Sequence, residues 1–162
     1  MSAAARASSA DVGYVDLPDG RVIAFGAVPV VAFNLTEARR RAARGVRTRQ
    51  EAVADIYARE DGTWGLSDPV KELDLVTDLT AAVLFAHAAI EGLDYHALEG
   101  LDRGGSVWER LDRLSELRNA LVRPGPPTDG RHIFGRLIRG DADACAGDAF
   151  EVVRAVRPEL LP

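Results

Sequence analysis

Apolar positions recur at helical spacing through most of the chain, and strand-like alternation is confined to a stretch near the N-terminus. There, Tyr14 to Leu17 and Arg21 to Phe25 flank Pro18-Asp19-Gly20, residues that suit a tight reversal, so residues 12–31 read as a β-hairpin with an extended tail. Pro29 is excluded from a central strand position. An isolated hairpin is marginal in water, so this one is expected to pack on the helices. Asn34 can cap the first helix, with Glu37 at the capping-box position, ahead of an apolar stripe of Leu35, Ala38, Ala42, Val46, Val53 and Ile56. Gly45 should bend or break that helix, and Asp61-Gly62 should end it, leaving a loop through Trp64 to Pro69. A second helix is predicted from Asp68 or Pro69 to about Leu98. From Leu79 to Ile90 it is apolar on all sides, the pattern of a helix surrounded by others.

After Gly104-Gly105, Ser106 and Glu109 form a capping-box pattern, and Val107, Leu111, Leu114, Arg118 and Leu121 share one face. Pro124 ends that helix, and the run through Gly130 is a break. His132 to Arg139 reads as a short helix or an extended segment. Asp141 to Val156 reads as a last helix, with Cys145, Ala149, Val152, Val153 and Val156 towards the core. The prediction is a mainly α fold: one domain over residues 12–162, a bundle of four to five helices with an N-terminal β-hairpin, preceded by a disordered tail over residues 1–11.

The chain of 162 residues is long enough for one domain with a real core. Its net charge of −5 does not favour nucleic acid, so any RNA contact needs a local basic patch. Seven arginines against four acids between residues 36 and 60, among them Arg39, Arg40, Arg41, Arg44 and Arg47, make that patch. A solvated helix face with Arg–Glu pairs is the commoner reason for such a run, and no interleaved aromatics offer a stacking platform. RNA is therefore a partner that the sequence allows without favouring. A single cysteine excludes an internal disulfide framework and fits a reducing compartment, and Cys145 reads as small core filler. The N-terminal residues have no apolar signal core, and the run from Leu79 to Ile90 is short for a bilayer. A cytoplasmic protein with no membrane partner is expected. No phosphate-binding loop, dinucleotide fingerprint, nucleophile elbow or paired-cysteine metal site is present, so neither a cofactor nor a metal is implied.

The chemistry concentrates in Leu117-Arg-Asn-Ala-Leu-Val-Arg-Pro124. Arg118 lies on the stripe expected to face the core, and a guanidinium cannot shed its charge, so it needs a carboxylate partner or a cleft. Glu91, which follows the apolar run, is the natural candidate. This segment resembles the Arg-Asn-x-x-x-His stretch of HEPN domains, helical bundles found in RNA-cleaving toxins and defence proteins. The run Leu84-Phe-Ala-His-Ala-Ala-Ile-Glu-Gly-Leu93 is similar to the central helix of many HEPN-like proteins, in which a polar or acidic residue faces the Arg-containing helix. The resemblance covers roughly residues 70–125 and implies a homodimer with two such motifs face to face. The chain departs from the family in one respect: Arg123 occupies the His position, and arginine cannot act as a base.

Three functions follow as expectations. The first is a catalytically degenerate HEPN-like protein with a binding or regulatory role in a toxin–antitoxin or defence-type system, possessing no catalytic residue, with Glu91, Arg118, Asn119 and Arg123 as its pocket and a protein as a partner. The second is an active, metal-independent HEPN-type ribonuclease, with Arg118 and Asn119 in its site and His132 or His87 replacing the motif His. The third is a structural protein-interaction domain with Arg118 buried and fully paired. His87 alone in an apolar run reads as a hydrogen-bonded core residue, and His96 near Asp94 and Glu99 has no metal-site spacing.

Overall fold

The computed structural model describes residues 12–26, 29–54, 56–58, 60, 64–93, 95–124 and 133–162. The expected tail over residues 1–11 and His132 lie outside the described residues. The protein is a mainly helical bundle with an N-terminal two-stranded antiparallel hairpin. Its elements are β1 (Val12–Asp16), β2 (Val22–Gly26), α1 (Val30–Val53), β3 (Ile56–Ala58), β4 (Trp64–Leu66), α2 (Pro69–Glu91), α3 (Tyr95–Glu99), α4 (Ser106–Val122), α5 (Ile133–Arg139) and α6 (Cys145–Val156). The four long helices α1, α2, α4 and α6 carry most of the packing, and α3 and α5 are short.

The hairpin forms where alternation and turn residues place it, with Val15 opposite Ile23, Leu17 N–H donating to Arg21 O, and Gly20 at φ +83° in the turn. Among the described residues it makes no substantial contact with any helix, where packing on the helices is expected: Tyr14, Val15, Val22 and Ile23 are all exposed. The first helix starts earlier than its apparent cap. Pro29 precedes α1, and Asn34 is buried inside it, so the local cap signal yields to tertiary packing. Helix α1 also runs through Gly45 unbroken. A Cβ there would lie 2.6 Å from Leu79 Cδ2, so glycine serves the close approach of α1 to α2 and not a kink. The stripe predicted to continue to Ile56 stops at Val53, and Ile56–Ala58 pairs with Trp64–Leu66 in a second small antiparallel ladder across the segment expected to be a loop.

Helix α2 begins as predicted. Asp68 Oδ1 accepts from the backbone N–H of Val70 at 2.9 Å, and Pro69 takes the first helical position, where its missing N–H costs nothing. It ends at Glu91 instead of near Leu98, with Gly92 N–H returning to Ala88 O, and the remaining residues form the separate α3. Val31 Cγ2 lies 3.0 Å from where a Gly92 Cβ would stand, so the start of α1 packs on the end of α2. Leu75, Leu79, Val83, Ala86 and Ile90 are buried against α1, α4, α5 and α6, which accounts for the all-round apolarity of this helix. Among the described residues α2 is the one helix long and apolar enough to cross a membrane by length and composition. In α4 the helix starts at Ser106 with Gly105 as its cap, and Ser106 itself lies inside the first turn, so the predicted capping box is not formed. Helix α4 closes at Val122, just before Pro124, and α6 buries Cys145, Ala149, Val152 and Val153 as its stripe predicts.

Two buried aspartates join the helices. Asp78 of α2 sits 2.7 Å from Arg41 Nη1 and 2.9 Å from Arg44 Nε, both on α1. Asp148 of α6 takes Arg110 Nη1 at 2.7 Å, and Arg113 Nε and Nη2 at 2.8 Å each, from α4. Their side chains are 3% and 2% exposed. A carboxylate taken out of water survives as an ion only with such partners.

Candidate functional site

The candidate site lies where the last turn of α2 meets the C-terminal part of α4. Spacing of four residues sets His87 and Glu91 on one face of α2, and His87 Nδ1 lies 3.3 Å from Glu91 Oε1. The same oxygen is 3.9 Å from Arg118 Nη2 on α4. Arg118 Nη1 donates to Asn119 Oδ1 at 3.2 Å. The structure thus brings Glu91, Arg118 and Asn119 close together, with His87 beside them.

Exposure separates this cluster from the buried aspartates. Glu91 is 60% and Arg118 37% exposed, so Arg118 sits at the rim of the core stripe defined by Leu114 and Leu117 and not inside it. Glu91 is also the last helical residue of α2, where unsatisfied carbonyls disfavour a negative charge and the nearby guanidinium offsets it. The imidazole is more enclosed. Burial pushes His87 below its usual 6.5; Glu91 opposes that shift, and the Arg118 charge adds to it. The neutral form of His87 is therefore favoured relative to a free imidazole, and its Nδ1 lies 3.3 Å from a carboxylate.

Arg123, in the family's His position, does not enter the cluster. It caps α4 through its backbone N–H to Asn119 O, and its exposed side chain has no partner among the described residues. The basic patch is largely engaged. Arg40 forks onto Glu37, Arg41 and Arg44 turn to Asp78, and the Arg39 guanidinium stacks 4.3 Å over the Phe150 ring. Arg47 faces solvent. Cys145 is buried, and desolvation pushes its thiol up to about 12, the state of an unreactive core residue. A separate apolar groove of about 410 Å³ lies between Pro29–Ala32, Gly92 and Glu159–Pro162.

Sequence reasoning missed Asp78 and Asp148. Each interrupts an apolar stripe, Asp78 beside Leu75 and Leu79 and Asp148 beside Cys145 and Ala149, and that is the same signal that drew attention to Arg118. His87, read from the sequence as a core residue or as a stand-in for the motif His, lies at the edge of the core, one turn from Glu91. Comparison with protein-family models, curated proteins and solved structures gives no match to this chain.

Proposed function

We propose that the chain is a catalytically degenerate HEPN-like module with a binding or regulatory role. It acts as a homodimer of the kind used in toxin–antitoxin and defence-type systems, and its Arg118 cluster receives an acidic group of a partner protein. The observation that carries the reading is the half-exposed guanidinium of Arg118, held at 3.9 Å by a carboxylate that is itself mostly in water. Such a pair is weak and exchangeable, and arginine's planar fork suits a carboxylate supplied from outside. The resemblance is supported by the packing of the two helices that carry it, which sets an acidic residue of α2 against the Arg-containing α4. A binding role is supported by Arg123, which stands outside the cluster and supplies no base. A protein partner is preferred to RNA because the net charge is −5 and most patch arginines already have acidic or aromatic partners. The half-exposure of Arg118 counts against a purely structural domain, which calls for a buried and satisfied guanidinium.

One observation favours the ribonuclease reading. Burial shifts the His87 pKa down, and its ring lies 3.3 Å from Glu91 and near Arg118, an arrangement suited to a general base next to a group that stabilises phosphate charge. RNA cleavage by the purified protein decides between the two, with Arg118→Ala, His87→Ala and Arg123→His assayed alongside. The binding reading predicts no cleavage by the parent, with activity in Arg123→His marking a decayed site. Cleavage by the parent that disappears in both Arg118→Ala and His87→Ala would replace it with the ribonuclease.

A further inference from the structure

The cluster contains one carboxylate and two groups that compete for it. Glu91 Oε1 is 3.3 Å from His87 Nδ1 and 3.9 Å from Arg118 Nη2. Being mostly solvent-exposed on the final turn of α2, the Glu91 side chain is free to shift between them. Its carboxylate approaches one arm of the Arg118 guanidinium at 3.9 Å without a hydrogen bond, close enough to offset the charge that an incoming oxyanion would meet. We infer that Glu91 is a built-in competitor for the anion seat of Arg118, and that protonation of His87 draws it away and opens the seat. The inference rests on the reading of Arg118 as the group that receives an anion.

Charge counting gives the direction. Among the described residues, the charges felt at His87 are Glu91 from its own helix and Arg118 from α4, with none from α1, α5 or α6. With His87 neutral, Glu91 cancels Arg118 and the cluster carries no net charge. With His87 protonated, the cluster carries one positive charge, and the imidazolium holds the nearer claim on Glu91. Burial shifts the His87 titration below the usual histidine range, so acidification below that range is what opens the seat. Linkage makes the effect reciprocal: an anion that binds the protonated form more tightly must raise the pH at which His87 titrates.

Sulfate is a suitable probe because it does not titrate in this range. Its binding is followed by NMR on the Arg118 Nε–H resonance, assigned by its absence from Arg118→Ala. The parent should bind sulfate roughly tenfold tighter at about pH 5.5 than at about pH 7.5. Glu91→Gln should bind at the higher pH as tightly as the parent does at the lower, and lose most of the pH dependence. His87→Gln should stay at the weaker value at both, which separates the gate from the general gain of positive charge on acidification. Equal affinity of the parent at the two pH values, or a Glu91→Gln variant no tighter than the parent at the higher one, overturns the gate and leaves Arg118 as an anion seat. A resonance unmoved by sulfate in both parent and Glu91→Gln overturns the seat itself and the gate with it.

Discussion

Asp148 and Glu91 are both carboxylates reached by arginine across a helix pair, and they behave as opposites. Asp148 is 2% exposed, both its oxygens are taken at 2.7–2.8 Å, and its arginines come from α4 onto α6. Glu91 is 60% exposed and meets Arg118 at 3.9 Å. The first has no access to water and cannot exchange its partners without leaving a bare ion in the core. The second loses little by exchange, because water replaces either partner. The same chemical pair is therefore a structural fastening when dry and an available binding group when wet, and burial, not the identity of the residues, decides which.

The largest test of that difference is to strip the arginines from the dry side. Arg110→Ala with Arg113→Ala leaves the Asp148 charge buried and unpaired, and should lower the unfolding free energy in urea by about 3–5 kcal/mol. Asp148→Ala should cost less, because the freed guanidiniums, 39% and 46% exposed, can swing into water. Finding the aspartate deletion the more damaging of the two would mean that α4 and α6 depend on packing at that point and not on the ion pair. Asp78 gives an internal control. Its Oδ2 lies 2.9 Å from Arg44 Nε without aligned hydrogen-bond geometry, whereas Oδ1 accepts a well-formed bond from Arg41 Nη1. Arg41→Ala should therefore destabilise more than Arg44→Ala.

A middle-sized effect comes from the spacing that lets α1 reach Asp78. A methyl at Gly45 would stand 2.6 Å from Leu79 Cδ2 and 2.7 Å from its Cγ, and Leu79 is fully buried. Gly45→Ala should destabilise by about 1–3 kcal/mol through overpacking, against a helix-propensity gain of about 1 kcal/mol that alone would stabilise. Stabilisation in thermal melts would show that α1 and α2 can separate without loss, and that the Asp78 pairs tolerate the shift.

The bundle was legible because its signals are periodic and local. The Asp68-Pro69 start of α2, the stop of α4 before Pro124 and the stripe of α6 all follow from side chains acting within one turn of themselves. What the pattern misplaced depends on contacts far along the chain. Asn34 looks like a cap but is buried inside α1, and Gly45 looks like a break but is needed by Leu79. Ile56 sits in helical phase yet pairs with Leu66. At the candidate site, Arg118 and Glu91 could be matched because one was an arginine on an apolar stripe and the other the first charge after an apolar run. Their looseness could not be read, since it depends on how far apart α2 and α4 end, and no residue encodes that distance alone.

The smallest effects belong to the wet side, and they separate stability from electrostatics. Glu91→Gln should leave the unfolding free energy within about 1 kcal/mol of the parent, the ordinary worth of an exposed pair. The same substitution should still be felt at His87. Burial lowers the folded-state pKa of His87 below the unfolded 6.5, Glu91 holds it up and Arg118 holds it down. Glu91→Gln should therefore move the His87 titration seen by NMR to lower pH, and Arg118→Ala should move it to higher pH. For stability the sign follows from proton counting. Between the folded and unfolded pKa values the unfolded chain binds more protons, so the His87 contribution is intact above about 6.5 and is lost as pH falls through the folded value. His87→Gln should flatten that acid-side decline, and Glu91→Gln should steepen it. Variants that leave both the titration and the acid limb unchanged would mean that Glu91, His87 and Arg118 are three separate surface residues, and the contrast with the tightly held Asp148 would then be one between a cluster and no cluster at all.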